Sequence, residues 1–118
     1  MHVLVVDDEV ELAFTLVERL KIRGIEAEAV TSGVGALERI RDQRFDVVVL
    51  DVKMPGISGW DVIQKIKHER PDTQVILLTG HGSFEDAQKG MRAGAFDYLV
   101  KPVDIGDLVR MLRIAAET

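Results

Sequence analysis

The chain has 118 residues, 47% hydrophobic and 30% charged, with no cysteine and a formal net charge of −5. That length fits one domain of about 100–200 residues, and the composition is too apolar for a disordered chain. The absence of cysteine excludes disulfides, thiolate catalysis and Cys-ligated metals, the acidic balance without a basic cluster argues against direct nucleic-acid binding, and no apolar run approaches the ~18–20 residues of a membrane span.

The first apolar run, Val3 to Val6, ends in Asp7-Asp8 and so reads as a strand rather than a signal peptide. Ala13, Leu16, Val17 and Leu20 then recur at helical spacing, and Gly24 stands where that helix should stop. Ile25 to Val30 alternates apolar and acidic residues, as an edge strand does. Leu37 with Ile40 marks a weak helix. Val47 to Leu50 is a second continuous apolar run rich in β-branched residues, and Val62, Ile63 and Ile66 form the next helical stripe after Ser58. Val75 to Leu78 is a third such run. Phe84, Ala87 and Met91 mark a helix behind Ser83. Phe96 to Val100, interrupted by Asp97, reads as the other edge strand. Ile105, Leu108, Val109 and Leu112 close the chain behind Asp104. Ser58, Ser83 and Asp104 each precede an aspartate by three residues, a helix-start signal like a capping box with a shorter acid.

A βα alternation of five units implies a parallel sheet with right-handed crossovers and helices on both faces. Continuous apolar runs suit strands covered on both sides, so strands one, three and four are central and two and five are edges. The expectation is an α/β fold, a flavodoxin-like doubly wound sheet in the order 2-1-3-4-5, forming a single domain over residues 1–118 with no effector domain.

Ligands in such sheets bind beyond the carboxyl ends of the strands, at the switch point of strand order. Each apolar run breaks to a polar residue at that end: Asp7-Asp8, Asp51, Thr79 and Lys101. Polar strand ends are ordinary one at a time, and Asp8 with Glu11 could simply cap the first helix; together they converge on a site. Two unit charges 4 Å apart repel by about 4 kcal/mol at an effective dielectric of 20, so three clustered acids need a cation or raised pKa values. Oxygen-only ligands point to a hard cation, most simply Mg²⁺. A metal, a lysine and a hydroxyl beside a carboxylate suit a phosphoryl group, and an aspartate can itself be the nucleophile.

Four segments, Leu4 to Glu9, Leu50 to Gly56, Leu78 to Gly82 and Tyr98 to Pro102, together carry a resemblance. The chain resembles, over essentially its whole length, a receiver domain of the two-component response-regulator family. The resemblance implies Asp51 as the phosphoacceptor from a sensor histidine kinase or histidine phosphotransfer protein. It also implies Mg²⁺ held by Asp8, by Asp7 through water, by Asp51 and by the backbone carbonyl of Lys53. Thr79 and Lys101 would contact the phosphoryl oxygens, and the Lys101-Pro102 bond would be cis. Tyr98 occupies the position that turns inward when Thr79 moves toward the phosphoryl group. Lys53 and His81 would flank the route of the hydrolytic water and tune phosphoryl lifetime. Output would leave through helix four, strand five and helix five, toward an effector domain or partner, from a monomer or a phosphorylation-dependent homodimer. The location expected is cytoplasmic, without membrane or nucleic-acid contact. Such a domain is no enzyme in the usual sense, catalysing only its own phosphorylation and dephosphorylation.

Two other classes fit less well. An aspartyl-phosphate phosphatase acting on external substrates typically has a second acid two residues after its nucleophile, where this chain has Lys53. A flavodoxin needs a hydroxyl- and glycine-rich phosphate loop where this chain has Asp7-Asp8-Glu9. Trp60 reads as a packing residue, and His2 and His68 as surface residues.

Overall fold

Three runs of valine, leucine and isoleucine are apolar at every position, so strands made from them must be covered on both faces. The structure, a computed structural model that describes residues 1–80 and 84–118, satisfies that demand. β1 (His2–Val6), β3 (Val47–Asp51) and β4 (Gln74–Thr79) are central, while β2 (Glu26–Val30) and β5 (Asp97–Val100) lie at the edges. All neighbours pair parallel, in the order β2-β1-β3-β4-β5.

Strand alternation sends side chains to opposite layers. Val3, Val5, Val47, Val49, Ile76 and Leu78 face α1 (Val10–Ile22) and α5 (Ile105–Glu117). Leu4, Val6, Val48, Leu50, Val75 and Leu77 face α2 (Gly33–Asp42) and α3 (Gly59–Glu69). α4 (Phe84–Ala93) lies beside α3 and contributes the buried Ala87. Each side chain fully removed from water contributes about 1.5–3 kcal/mol of transfer free energy, so both layers hold the sheet firmly beneath its loops.

The start signals act through single bonds. Ser58 Oγ accepts from the backbone N–H of Asp61, and Asp104 Oδ1 from that of Asp107, without the reciprocal half of a capping box among the described residues. Ser83 lies outside the described residues. α2 starts on an unanticipated cap, Ser32 Oγ accepting from Gly35 N–H at 3.0 Å. Gly24 ends the first helix as expected: its φ is +78°, a left-handed conformation that only glycine enters without strain.

Candidate functional site

A parallel sheet brings the carboxyl ends of all its strands to one edge. There the chain leaves β1 at Asp7-Asp8, ends β3 on Asp51, ends β4 on Thr79 and leaves β5 into Lys101. The cis Lys101-Pro102 bond follows at once. Asp7, Asp8 and Asp51 each offer a carboxylate oxygen within 4.8 Å of the others. Asp7 is 0% exposed and Asp51 6%, whereas Asp8 is open to solvent. Asp8 does not cap α1, whose N-cap residue is Glu9 with no side-chain cap bond. The cluster is therefore not explained by the start of the helix.

The ammonium of Lys101 sits among these acids, 3.0 Å from Asp7 Oδ2, 3.3 Å from Asp51 Oδ2 and 3.6 Å from Glu9 Oε1. Burial alone would lower its pKa, but the Asp7 and Asp51 carboxylates outweigh burial and raise it. The Asp51 carboxyl is pushed up, first by burial and further by the charge of Asp7, against the pull of the Lys53 backbone N–H and of Lys101. One oxygen of each buried acid is fixed by backbone: Asp7 Oδ1 accepts from Glu9 N–H at 3.0 Å and Asp51 Oδ1 from Lys53 N–H at 3.1 Å. The other oxygen of Asp7 meets Lys101 by distance but lacks hydrogen-bond alignment, and among the described residues it has no hydrogen-bond partner.

A buried carboxylate oxygen without a hydrogen bond is costly. One lysine shared by two buried carboxylates leaves negative charge uncompensated. A hard divalent cation answers both conditions, since it takes oxygen ligands alone and tolerates few of them from protein. Asp7, Asp8 and Asp51 thus fit a metal ion by donor chemistry, by mutual distance and by a buried Asp7 oxygen that meets a lysine it must share with Asp51.

Thr79 is 1% exposed, and its hydroxyl donates a long 3.5 Å bond to the Leu99 carbonyl of β5. Leu77 pairs with Tyr98 and Thr79 with Val100. Alternation along β4 therefore places Thr79 and Tyr98 on the same face, the one carrying α3 and α4, where half-buried Tyr98 packs against the core. Lys53 is brought to the site only by its backbone. Its side chain is 69% exposed, and its ammonium lies 3.7 Å from Asp86 Oδ2 on α4. His81 lies outside the described residues. Glu9, to which the sequence motif assigns no role, joins the site through Lys101. His2 is not the surface residue expected: its side chain is 16% exposed, its ring packs 4.4 Å from that of Phe45, and Gln43 bonds its Nδ1 at 2.9 Å. That cluster is at the far end of β1, away from the acids. Beside the site, a cavity of about 500 Å³ is walled by Leu12, Leu16, Pro102 and Val103, with Lys101 and Glu9 at its polar rim.

Residues 3–113 match the response regulator receiver domain. The probable transcriptional regulatory protein TcrX of Mycobacterium tuberculosis is 43% identical over 111 residues, covering 94% of this chain and 47% of TcrX. The transcriptional regulatory protein CutR of Streptomyces coelicolor is 40% identical over 113 residues, covering 96% of this chain and 52% of CutR. The chain thus spans about half the length of these curated relatives. A response regulator receiver domain protein of Clostridium thermocellum superposes with a TM-score of 0.92 at 37% identity, covering 98% of this chain and 94% of that one.

Proposed function

The chain belongs to the response regulator receiver domain family of two-component signalling, and on that premise we propose that Asp51 is its phosphoacceptor. In the reaction an Asp51 carboxylate oxygen attacks the phosphorus of a phosphohistidine. The P–O bond forms as the P–N bond breaks, and the imidazole leaves with the electron pair. A sensor histidine kinase or histidine phosphotransfer protein would present that group. The observation that carries this reading is the juxtaposition of Asp51 with Lys101 at 3.3 Å and with Asp7 and Asp8 within 4.8 Å.

The roles follow from position. Asp51, with one oxygen fixed by the Lys53 N–H, presents the other toward Lys101. Lys101 is held charged by its two acids and offers an ammonium to the phosphoryl oxygens. Asp7, Asp8 and Asp51, with the Lys53 backbone carbonyl, would hold Mg²⁺, which when bound supplies positive charge against the developing charge on those oxygens. Thr79 would exchange its long bond to Leu99 for a phosphoryl oxygen, and Tyr98 on the same face would follow it inward. That is a population shift driven by the phosphoryl charge. Its readout surface is α4, β5 and α5, presented to an effector domain, a separate partner or a second copy. The domain acts catalytically only on itself, and its place is the cytoplasm, where kinases of this kind deliver phosphoryl groups. CutR is named a transcriptional regulatory protein and TcrX a probable one, and we infer a transcriptional output for a regulator carrying this receiver.

The test is incubation with acetyl phosphate and Mg²⁺, with the label located by mass spectrometry. One phosphoryl group on Asp51 is expected, lost in Asp51→Asn and in excess chelator. Full labelling of Asp51→Asn would overturn the assignment.

A further inference from the structure

Lys53 is tied to two places at once. Its backbone N–H donates to Asp51 Oδ1 at 3.1 Å, and its ammonium lies 3.7 Å from Asp86 Oδ2 in the first turn of α4. Its side chain is 69% exposed, so packing does not hold the ammonium against Asp86; charge does. The other cation near Asp51, Lys101, is occupied by Asp7 and Asp51. Among the described residues the Lys53 ammonium is paired with Asp86 and makes no salt bridge to the acceptor carboxylate.

Resting on the phosphoacceptor reading above, we propose that Asp86 is a positioning residue. It competes with a phosphoryl group on Asp51 for the Lys53 ammonium, and so sets how fast that group is lost. An aspartyl phosphate, like a phosphate monoester, carries about −1.5 to −2 charge near neutral pH, against −1 for the Asp86 carboxylate. An exposed ion pair is weak enough to exchange, and lysine is a compact charge on a flexible stem anchored here beside Asp51. Hydrolysis needs water to attack phosphorus in line. The P–O bond to Asp51 breaks, the carboxylate is regenerated, and phosphate leaves with the water oxygen while a proton passes to solvent. An ammonium resting on the phosphoryl oxygens stabilises the phosphorylated state and obstructs that water. Asp86 draws the ammonium off and shortens the lifetime. The competition is reciprocal: a phosphoryl group that captures Lys53 releases the first turn of α4 from the β3–α3 segment.

The experiment loads the protein with acetyl phosphate and Mg²⁺, removes the donor, and follows loss of the phosphoryl mass. The proteins compared are wild type, Asp86→Asn, Asp86→Glu, Lys53→Gln and the double variant Lys53→Gln/Asp86→Asn. Asp86→Asn is expected to slow decay about two- to fivefold, the range an exposed ion pair supplies. Asp86→Glu, which keeps the charge, should decay near the wild-type rate. Lys53→Gln should decay faster, and the double variant should match Lys53→Gln alone, because Asp86 then has no cation to withhold. A merely structural role of Asp86 in α4 would leave its effect intact in the Lys53→Gln background, and that outcome overturns the proposal. So does labelled Asp51 with decay indifferent to Asp86, which leaves the phosphoacceptor reading standing. Absence of any label on wild-type Asp51 overturns both.

Discussion

Lys101 Nζ lies 3.3 Å from Asp51 Oδ2, a pairing between residues fifty positions apart that joins the residue leaving an edge strand to the end of a central one. The same ammonium reaches Asp7, so a single positive charge serves two buried carboxylates. The metal-free site is consequently under electrostatic tension, which can be measured as stability.

Asp51 has a pKa raised above its ordinary 3.8, chiefly by burial. The folded protein therefore holds this proton to higher pH than the unfolded chain does. Folding stability contributed by the group falls as pH rises from about 4 through the raised folded value, and stays low above it. Asp51→Asn should stabilise the metal-free protein at pH 7, with the difference shrinking as pH approaches 4 and Asp51 takes its proton. Urea denaturation in chelator across that range checks this; a constant difference between the two proteins would refute it.

Mg²⁺ should stabilise the fold by relieving the repulsion among Asp7, Asp8 and Asp51. At 100 times its dissociation constant a ligand adds about 2.7 kcal/mol. Thermal melts should shift upward with Mg²⁺ in wild type and not in Asp8→Ala. Asp8 is the acid to change because it is exposed, so its removal leaves the buried pair with Lys101 undisturbed. An equal shift in both proteins would place the metal elsewhere.

Thr79→Ala should separate folding from switching. The hydroxyl makes only a 3.5 Å bond to Leu99, so its loss, with that of one buried methyl, should lower stability by about 1–2 kcal/mol, leaving the fold intact. The Tyr98 response should diminish, because nothing then links the phosphoryl oxygens to the face that Thr79 and Tyr98 share. Tyr98 is the one tyrosine in the chain, so fluorotyrosine NMR reports it without overlap. A full chemical-shift response to phosphorylation in Thr79→Ala would show that Tyr98 is not coupled through Thr79.

The central strands and the acids beyond them were legible because their signals are local. Val47 to Leu50 is apolar at four successive positions, and the polar residue that ends the run must emerge at the sheet's carboxyl edge. The Ser32 cap was less visible, since no acid stands three residues later and Gly33 and Gly35 weaken the helical pattern. His2 looked exposed because a terminal histidine carries no pattern; the Phe45 ring that covers it arrives from a distant segment. Glu9 and Asp86 escaped for the same reason. Their partners, Lys101 and Lys53, are set by where flexible side chains settle on a finished fold, and no spacing in the sequence encodes that.

The packing of Trp60 gives the molecule an optical gauge of its own. This is the only indole in the chain, at the start of α3, and the Lys89 ammonium of α4 lies 5.2 Å from its ring centroid. A nearby ammonium perturbs the excited state of an indole, so sliding or tilting of α4 against α3 changes the emission colour and intensity. Helix displacement can thus be followed in real time in the unlabelled protein, and Lys89→Met should mute that signal while leaving phosphoryl chemistry at the opposite end of the β3–α3 segment unchanged.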